Sequence, residues 1–373
     1  MKMCEKKAAY EKRIEKVRQN MKEEGQDILF LTPSSYMKYM TGYSIRGDER
    51  FLTWILPREG PVLAVGNALY QQQMADIPAD RFCFWNDGED PYKLTATVLG
   101  EEGIKVENGA VDPNMPARFS MRLQDVLPQC HMRDGSVLMD SLRLYKDETE
   151  RKLMAEGCKR ADQALRHTIG DGTEWLGRTE EEFLAKLVYE MTKLGIKNGA
   201  ACVCVGENAA EPHHCPGKSR IEKGKSLLVD FGGDYENYNT DMTRNFYFGT
   251  PDMEYQLVYQ ILLEALELGK KTARVGNRLE DVDRAVRGHI GGRGYGEYFT
   301  HRTGHGIGID CHEGPSVQEG EKTMISPGMT FSIEPGIYIP EKFGIRIEDQ
   351  MIVTEEGTRA LHSYPLKLVE IPC

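Results

Sequence analysis

The chain has 373 residues, 40% hydrophobic and 28% charged, a soluble globular composition with length enough for two ordinary domains. Its net charge of −11 argues against non-specific nucleic-acid binding, which needs a basic surface. No apolar run approaches the roughly 18 residues of a membrane span. No apolar stretch follows the lysines of residues 1–10 either, so the expectation is a cytosolic protein with no membrane helix and no signal peptide.

Residues 10–24 read as a charged amphipathic helix with Ile14, Val17 and Met21 on one face, ended at Gly25. Short apolar runs between turn residues follow at 28–31, 52–56, 62–65 and 82–85, and 106–112 is a further candidate strand. This first stretch is read as an α/β domain. It offers no cluster of metal ligands and no nucleophile–base pair, so its expected roles are packing, oligomer contact and shaping a site elsewhere. Near residue 145 the character changes. Arg143-Leu-Tyr-Lys-Asp147 leads into a long helix to about Ile169, with Leu153, Met154, Cys158, Ala161 and Leu165 at helical spacing. A helix at 180–194 opens on a capping-box pair, Thr179 and Glu182, and lines one face with Phe183, Leu187 and Met191, backed by Leu184 and Val188. Two more helices are predicted at 252–271 and 279–290. After residue 200 strands alternate with helices, so the second domain is α+β. The expected domains are 1–145 and 146–373, with no low-complexity segment and no short-period repeat.

Nine cysteines, an odd number without a CxxC pair, read as small buried hydrophobes in a reducing compartment. Cys202 and Cys204, two apart, share a face if they lie on a strand.

Two pairs of acids carry the chemical signal. The runs Lys225-Ser-Leu-Leu-Val-Asp230-Phe-Gly-Gly and Thr240-Asp241-Met-Thr-Arg-Asn-Phe-Tyr247 both read as strands around the turn-rich stretch Asp234-Tyr-Glu-Asn-Tyr. A hairpin centred between Tyr235 and Glu236 sets Asp230 opposite Asp241. A second hairpin, centred on Glu341, sets Glu334 opposite Glu348. Like charges directly opposite are destabilising, and burying them uncompensated costs several kcal/mol or raises a pKa strongly. Divalent cations remove the conflict. Four carboxylates with an imidazole suit two hard or borderline ions, among them Mn²⁺, Co²⁺, Zn²⁺ and Fe²⁺. The candidate imidazole lies in Thr300-His301-Arg-Thr-Gly-His305-Gly-Ile-Gly, where glycines let backbone approach closely. The bland alternative, acids on wet hairpin surfaces, suits one such pair better than two in matched register beside a glycine-flanked histidine.

At these residues the sequence resembles the pita-bread metallopeptidases: methionine aminopeptidase, aminopeptidase P and prolidase. The likeness covers about 146–373. The first domain resembles the creatinase-type domain that precedes this fold in aminopeptidase P and prolidase, through Thr41-Gly-Tyr and the Arg143-Leu-Tyr-Lys entry. Methionine aminopeptidases lack it, which weighs against them. The resemblance implies a creatinase-type α/β domain followed by an α+β pita-bread (creatinase/aminopeptidase) catalytic domain. It also implies five metal ligands: Asp230, Asp241, His305, Glu334 and Glu348. Asp241 and Glu348 are expected to bridge two ions, Mn²⁺ before Co²⁺, Zn²⁺ or Fe²⁺, and His305 to bind one. By the same resemblance His213, in Asn208-Ala-Ala-Glu-Pro-His213, faces the leaving nitrogen, and His312, in Cys311-His-Glu-Gly-Pro315, lies near the scissile carbonyl. His301 contacts substrate, and Tyr338 and Arg346 hydrogen-bond around the carboxylates. His214, where the family often has tyrosine, is read as packing.

The implied activity is hydrolysis of the Xaa-Pro bond at the N-terminus of proline-containing peptides. A metal-bridging hydroxide attacks, and Glu334 is the general base. A homodimer is expected. Two alternatives are a prolidase restricted to dipeptides and a metal-dependent non-peptidase of the same fold. A creatinase-like enzyme or an inactive binding module is disfavoured because all five ligands are present. One departure bears on substrate length: dipeptide-preferring prolidases often carry arginine where this chain has Ser316. The expectation is therefore that tripeptides and longer peptides are cleaved at least as well as dipeptides, unless Arg302, Arg46 or Arg50 receives the carboxylate.

Overall fold

The computed structural model describes residues 3–373, with side chains from Ala9 onward. Most of the lysine-bearing stretch 1–10, on which the expectation of no signal peptide partly rests, lies outside the described side chains. The chain divides into two compact units, Met1–Arg143 and Leu144–Cys373.

In the first unit the helix α1 (Met3–Glu23) buries Val17 and Met21 and ends before Gly25, whose φ of 65° is left-handed. Six strands follow: β1 (Ile28–Leu31), β2 (Thr53–Pro57), β3 (Leu63–Asn67), β4 (Arg81–Trp85), β5 (Asn108–Val111) and β6 (His131–Asp134). They form one mixed sheet in the order β4-β3-β2-β1-β5-β6. The central strand β1 is a continuous apolar run buried on both faces. The helices α2 (Ser35–Thr41), α3 (Gln71–Met74), α4 (Pro91–Glu101), α5 (Ala117–Val126) and α6 (Asp140–Leu144) complete the set. Strand β6, His-Met-Arg-Asp, is an edge strand and mostly exposed, so its sequence carries no apolar signature.

The second unit holds a four-stranded, a five-stranded and a two-stranded sheet, with two long helices on each half. α7 (Glu148–Ile169) and α8 (Glu180–Lys193) each begin on a capping box, Asp147 with Glu150 and Thr179 with Glu182. They pack on β7 (Lys197–Val205), β8 (Ser226–Tyr235), β9 (Tyr238–Phe248) and a C-terminal strand, which make a four-stranded sheet. Leu165, Phe183 and Leu187 meet Val229, Phe231, Met242 and Phe246 in that core. α9 (Met253–Thr272) and α10 (Leu279–Gly292) cover the other half: β10 (Gly304–Gly306), β11 (Glu313–Val317), β12 (Thr330–Ile333), β13 (Gly336–Ile339), β14 (Phe343–Arg346), β15 (Asp349–Thr354) and β16 (Gly357–Ala360). There Leu262, Leu266, Val282 and Val286 pack on Phe331, Ile333, Ile345 and Met351. β17 (Val369–Ile371) pairs in parallel with β9. Because strand side chains alternate, β8 and β9 bury Val229, Phe231, Met242 and Phe246 on one face and turn Asp230 and Asp241 to the other.

The β8–β9 hairpin corrects one expectation. Its turn is Glu236-Asn237, both with positive φ (51° and 77°), one position later than the sequence suggested. Asp230 therefore pairs with Thr243, and Asp241 with Gly232. The two aspartates are diagonal neighbours rather than opposite. A partner shift of two keeps both on the same face, so the shared site survives the misplacement. In the other hairpin, Gly336 pairs with Arg346 and Ile333 with Asp349. That single register, continued through the gap between the ladders, sets Glu334 across from Glu348, as expected.

Candidate metal centre

Two strands and two strand junctions of the second unit bring the acids together. Asp230 comes from β8 and Asp241 from β9, while Glu334 and Glu348 lie at the junctions of β12 with β13 and of β14 with β15. His305 is the middle residue of β10, where there is no room for side chains beside it. A Cβ on Gly304 would lie 2.0 Å from the Ser332 carbonyl oxygen, and one on Gly306 2.4 Å from that of Gly314.

Ligand atoms of Asp230, Asp241 and Glu348 lie within 4.8 Å of one another, as do those of His305, Glu334 and Glu348. Asp241, His305 and His312 form a third such group. These overlapping sets, sharing Asp241, His305 and Glu348, have the form of two adjacent sites. The tautomer of His305 suits ligation. Its Nδ1 is 3.0 Å from the Gly306 carbonyl and so carries the proton, leaving the Nε2 lone pair 3.3 Å from Glu334 Oε1 and 3.7 Å from Asp241 Oδ2. Burial, aided by His312, pushes the His305 pKa down to about 3, so the ring is neutral and these contacts are not ion pairs.

The acids themselves are in conflict without an ion. Burial raises the pKa of Asp241, Glu334 and Glu348, and their mutual repulsion adds to it. Among the described residues, Arg346 is the one lysine or arginine ion-paired with these acids. It is buried, ion-paired to Asp230, and donates 2.7 Å to the Tyr338 hydroxyl. A single guanidinium cannot balance four carboxylates. Glu348 accepts from Thr243 at 2.8 Å through one oxygen, and its other oxygen is buried without a hydrogen-bond partner. A buried, unpartnered carboxylate oxygen aimed into an oxygen-rich cluster with one imidazole fits divalent cations.

The remaining predicted residues surround this cluster. Tyr338 is 2.8 Å from His301 Nε2, and His301 Nδ1 is 2.7 Å from the Arg302 carbonyl. His301 thus has both nitrogens engaged. Burial lowers its pKa to about 4, so it takes the Tyr338 proton as a neutral acceptor. His312 is exposed and stacks edge-on over His305 at 4.1 Å between centroids. Its pKa is lowered by burial and then by Arg302, which places that guanidinium within electrostatic reach. His213 itself is exposed on the loop after β7, and Arg346 reaches the neighbouring Pro212 carbonyl at 3.4 Å. His214 does more than pack: it meets the buried Glu180 carboxylate at 3.0 Å.

Several supporting residues escaped the sequence reading. Ser332 donates to Glu334 and accepts from the His305 amide, and the Asp241 amide donates to Gln350. Cys311 lies 3.0 Å from Asp241 Oδ2. Thr243, Ser332 and Gln350 each stand two residues from a predicted ligand, and a period of two along a strand would have found them. Glu180 has no such signal.

The described residues contain no helix long and apolar enough to cross a membrane. The family model for metallopeptidase family M24 matches residues 152–355, and that for the creatinase/prolidase N-terminal domain matches 13–145. A Xaa-Pro dipeptidase of Pyrococcus horikoshii is 30% identical over 96% of this chain and 98% of its own length. The crystal structure of recombinant prolidase from Thermococcus sibiricus superposes with a TM-score of 0.92 at 33% identity, covering 97% of this chain and 99% of that one. An X-Pro aminopeptidase from Thermotoga maritima has a TM-score of 0.82 at 27% identity, covering 95% and 100%. With a creatinase-type first domain, a pita-bread second domain and near end-to-end likeness to these enzymes, the chain belongs to metallopeptidase family M24, in its Xaa-Pro dipeptidase and aminopeptidase P branch.

Proposed function

We propose that this protein is a dinuclear-metal Xaa-Pro dipeptidase. Asp230, Asp241, His305, Glu334 and Glu348 hold two divalent ions in this reading, Mn²⁺ first, with Co²⁺, Zn²⁺ and Fe²⁺ as alternatives for an oxygen-rich set with one imidazole. Such ions activate water and polarise the scissile carbonyl. The chain's own groups do the rest. Glu334 accepts the proton of the attacking water. His213 hydrogen-bonds the departing nitrogen and His312 the reacting carbonyl. The Arg346–Tyr338–His301 chain fixes Asp230. A homodimer is carried over from the resemblance, and the free state of all eight described cysteines is consistent with a reducing, cytosolic compartment.

Substrate length turns on Arg302. Ser316 alone argues for longer peptides, since it cannot receive a carboxylate. Arg302 removes that argument: its guanidinium donates to Ser316 Oγ at 2.9 Å, and Ser316 lies directly across from His305 in the β10–β11 ladder. Arg302 is half-buried, and its bond to Ser316 is the one side-chain hydrogen bond or ion pair it makes among the described residues. A cation tethered beside the two site histidines without a counter-ion is suited to the C-terminal carboxylate of a dipeptide. The names of the relatives, dipeptidase and prolidase, support the same choice over the longer-peptide expectation.

The test compares a Xaa-Pro dipeptide, its C-terminal amide and a Xaa-Pro-Xaa tripeptide on metal-loaded protein. The dipeptide should win in kcat/KM. Arg302→Ala should raise KM for the dipeptide about 10- to 100-fold, the scale of losing one partner of a desolvated charge pair, and barely touch the amide. Equal turnover of all three, insensitive to Arg302, would return the assignment to an aminopeptidase.

A further inference from the structure

The carboxylate of Glu180 is fully buried, and no lysine or arginine forms an ion pair with it among the described residues. Four donors satisfy it instead. Oε1 accepts from the Val205 amide at 2.7 Å and the Asn208 side chain at 2.9 Å. Oε2 accepts from the Gly217 amide at 2.9 Å and faces His214 Nε2 at 3.0 Å. One oxygen thus holds the entrance of the 205–217 loop and the other its exit. The backbone at the start of α8 reinforces the grip, with Glu180 N bonded to the Ser219 carbonyl and Glu181 N to that of Gly217. The loop between these ties carries His213. On its inner side Arg346 bonds the Pro212 carbonyl at 3.4 Å.

We infer that Glu180 is a positioning residue for catalysis: it closes the 205–217 loop so that His213 is held toward the metal centre. This rests on the role of His213 proposed above. Glu180 is in none of the groups of candidate ligands and serves through the loop. A buried carboxylate with four donors is satisfied, and a neutral amide in its place is not. In Glu180→Gln the side-chain NH₂ meets either the Val205 and Asn208 donors or the Gly217 and His214 donors, so one end of the loop must open.

The test is a double-mutant cycle between Glu180→Gln and His213→Ala on metal-loaded enzyme, with kcat, KM and metal content measured for each. His213→Ala alone should lower kcat about 100-fold, the low end of a lost proton or hydrogen-bond donor. Glu180→Gln alone should lower kcat about 10- to 100-fold with KM and metal content nearly unchanged, and should speed amide exchange in 206–217. In the His213→Ala background Glu180→Gln should cost less than about twofold, because the two act as a unit. If Glu180→Gln does not fold, His214→Phe takes its place: it removes one donor and should give a smaller loss that also vanishes without His213. An additive loss in either cycle overturns the inference, as does unchanged kcat in folded Glu180→Gln. If His213→Ala alone leaves kcat intact, the role proposed for His213 fails first, and the inference falls with it.

Discussion

Arg346 is 3% exposed and shares its guanidinium among Asp230, the Tyr338 hydroxyl and the Pro212 carbonyl, so it links the acids, the aromatic lining and the His213 loop. Its charge is the permanent counterweight to the cluster: it pairs with Asp230 and partly offsets Glu334, and one positive charge against four acids leaves the rest to bound ions. Glu334 differs from the other acids in its surroundings. It lies 3.3 Å from His305 Nε2, and among the described residues Ser332, at 3.2 Å, is its one side-chain hydrogen-bond donor. It therefore keeps lone pairs available for a water proton. Glu334→Gln keeps the shape and loses that basicity, so kcat should fall by at least about 10²-fold, within the usual range for a lost general base. Metal content measured on the same sample separates this loss from loss of an ion. A folded, metal-loaded Glu334→Gln enzyme keeping more than about a tenth of wild-type kcat contradicts the assignment.

At the scale of elements, legibility followed periodicity. β1 is an unbroken apolar run and α8 opens on Thr179 with Glu182, and both stand where the sequence places them. The four long helices of the second unit are equally plain, because each lays an apolar stripe on a sheet. Strand β6 and helices α4 and α5 were not read, the strand because it is a polar edge. The β8–β9 register was misread by two because Glu-Asn is a weaker turn signal than Asn-Gly, and only backbone φ shows which two residues take the turn. The candidate acids were legible because they sit in or beside apolar strands that bring like charges together, and His305 because glycines flank it. Glu180 was not. It opens the run Glu180-Glu181-Glu182, three acids in a helix's first turn, of which Glu182 caps the helix, Glu181 is exposed and Glu180 is buried. Nothing local distinguishes them; the loop that surrounds Glu180 does.

For the whole molecule, the cluster ties folding to pH and metal. Asp241, Glu334 and Glu348 have folded pKa values raised by burial above their ordinary range. Between the unfolded value near 4 and those raised values, the folded chain holds more protons than the unfolded one, so stability falls as pH rises. The metal-free protein should therefore lose Tm between about pH 5 and pH 8 through these groups, and added Mn²⁺ should raise Tm more at pH 8 than at pH 5, since ligands must be deprotonated to bind. A metal increment in Tm that is the same at both pH values would remove the carboxylates from that role. The most direct test of the account is to follow metal content and Xaa-Pro dipeptide hydrolysis on the same sample as a chelator strips the protein and Mn²⁺ is returned. Activity should vanish with the metal and recover in step with occupancy toward about two ions per chain, whereas full hydrolysis by protein shown by elemental analysis to be metal-free would contradict it.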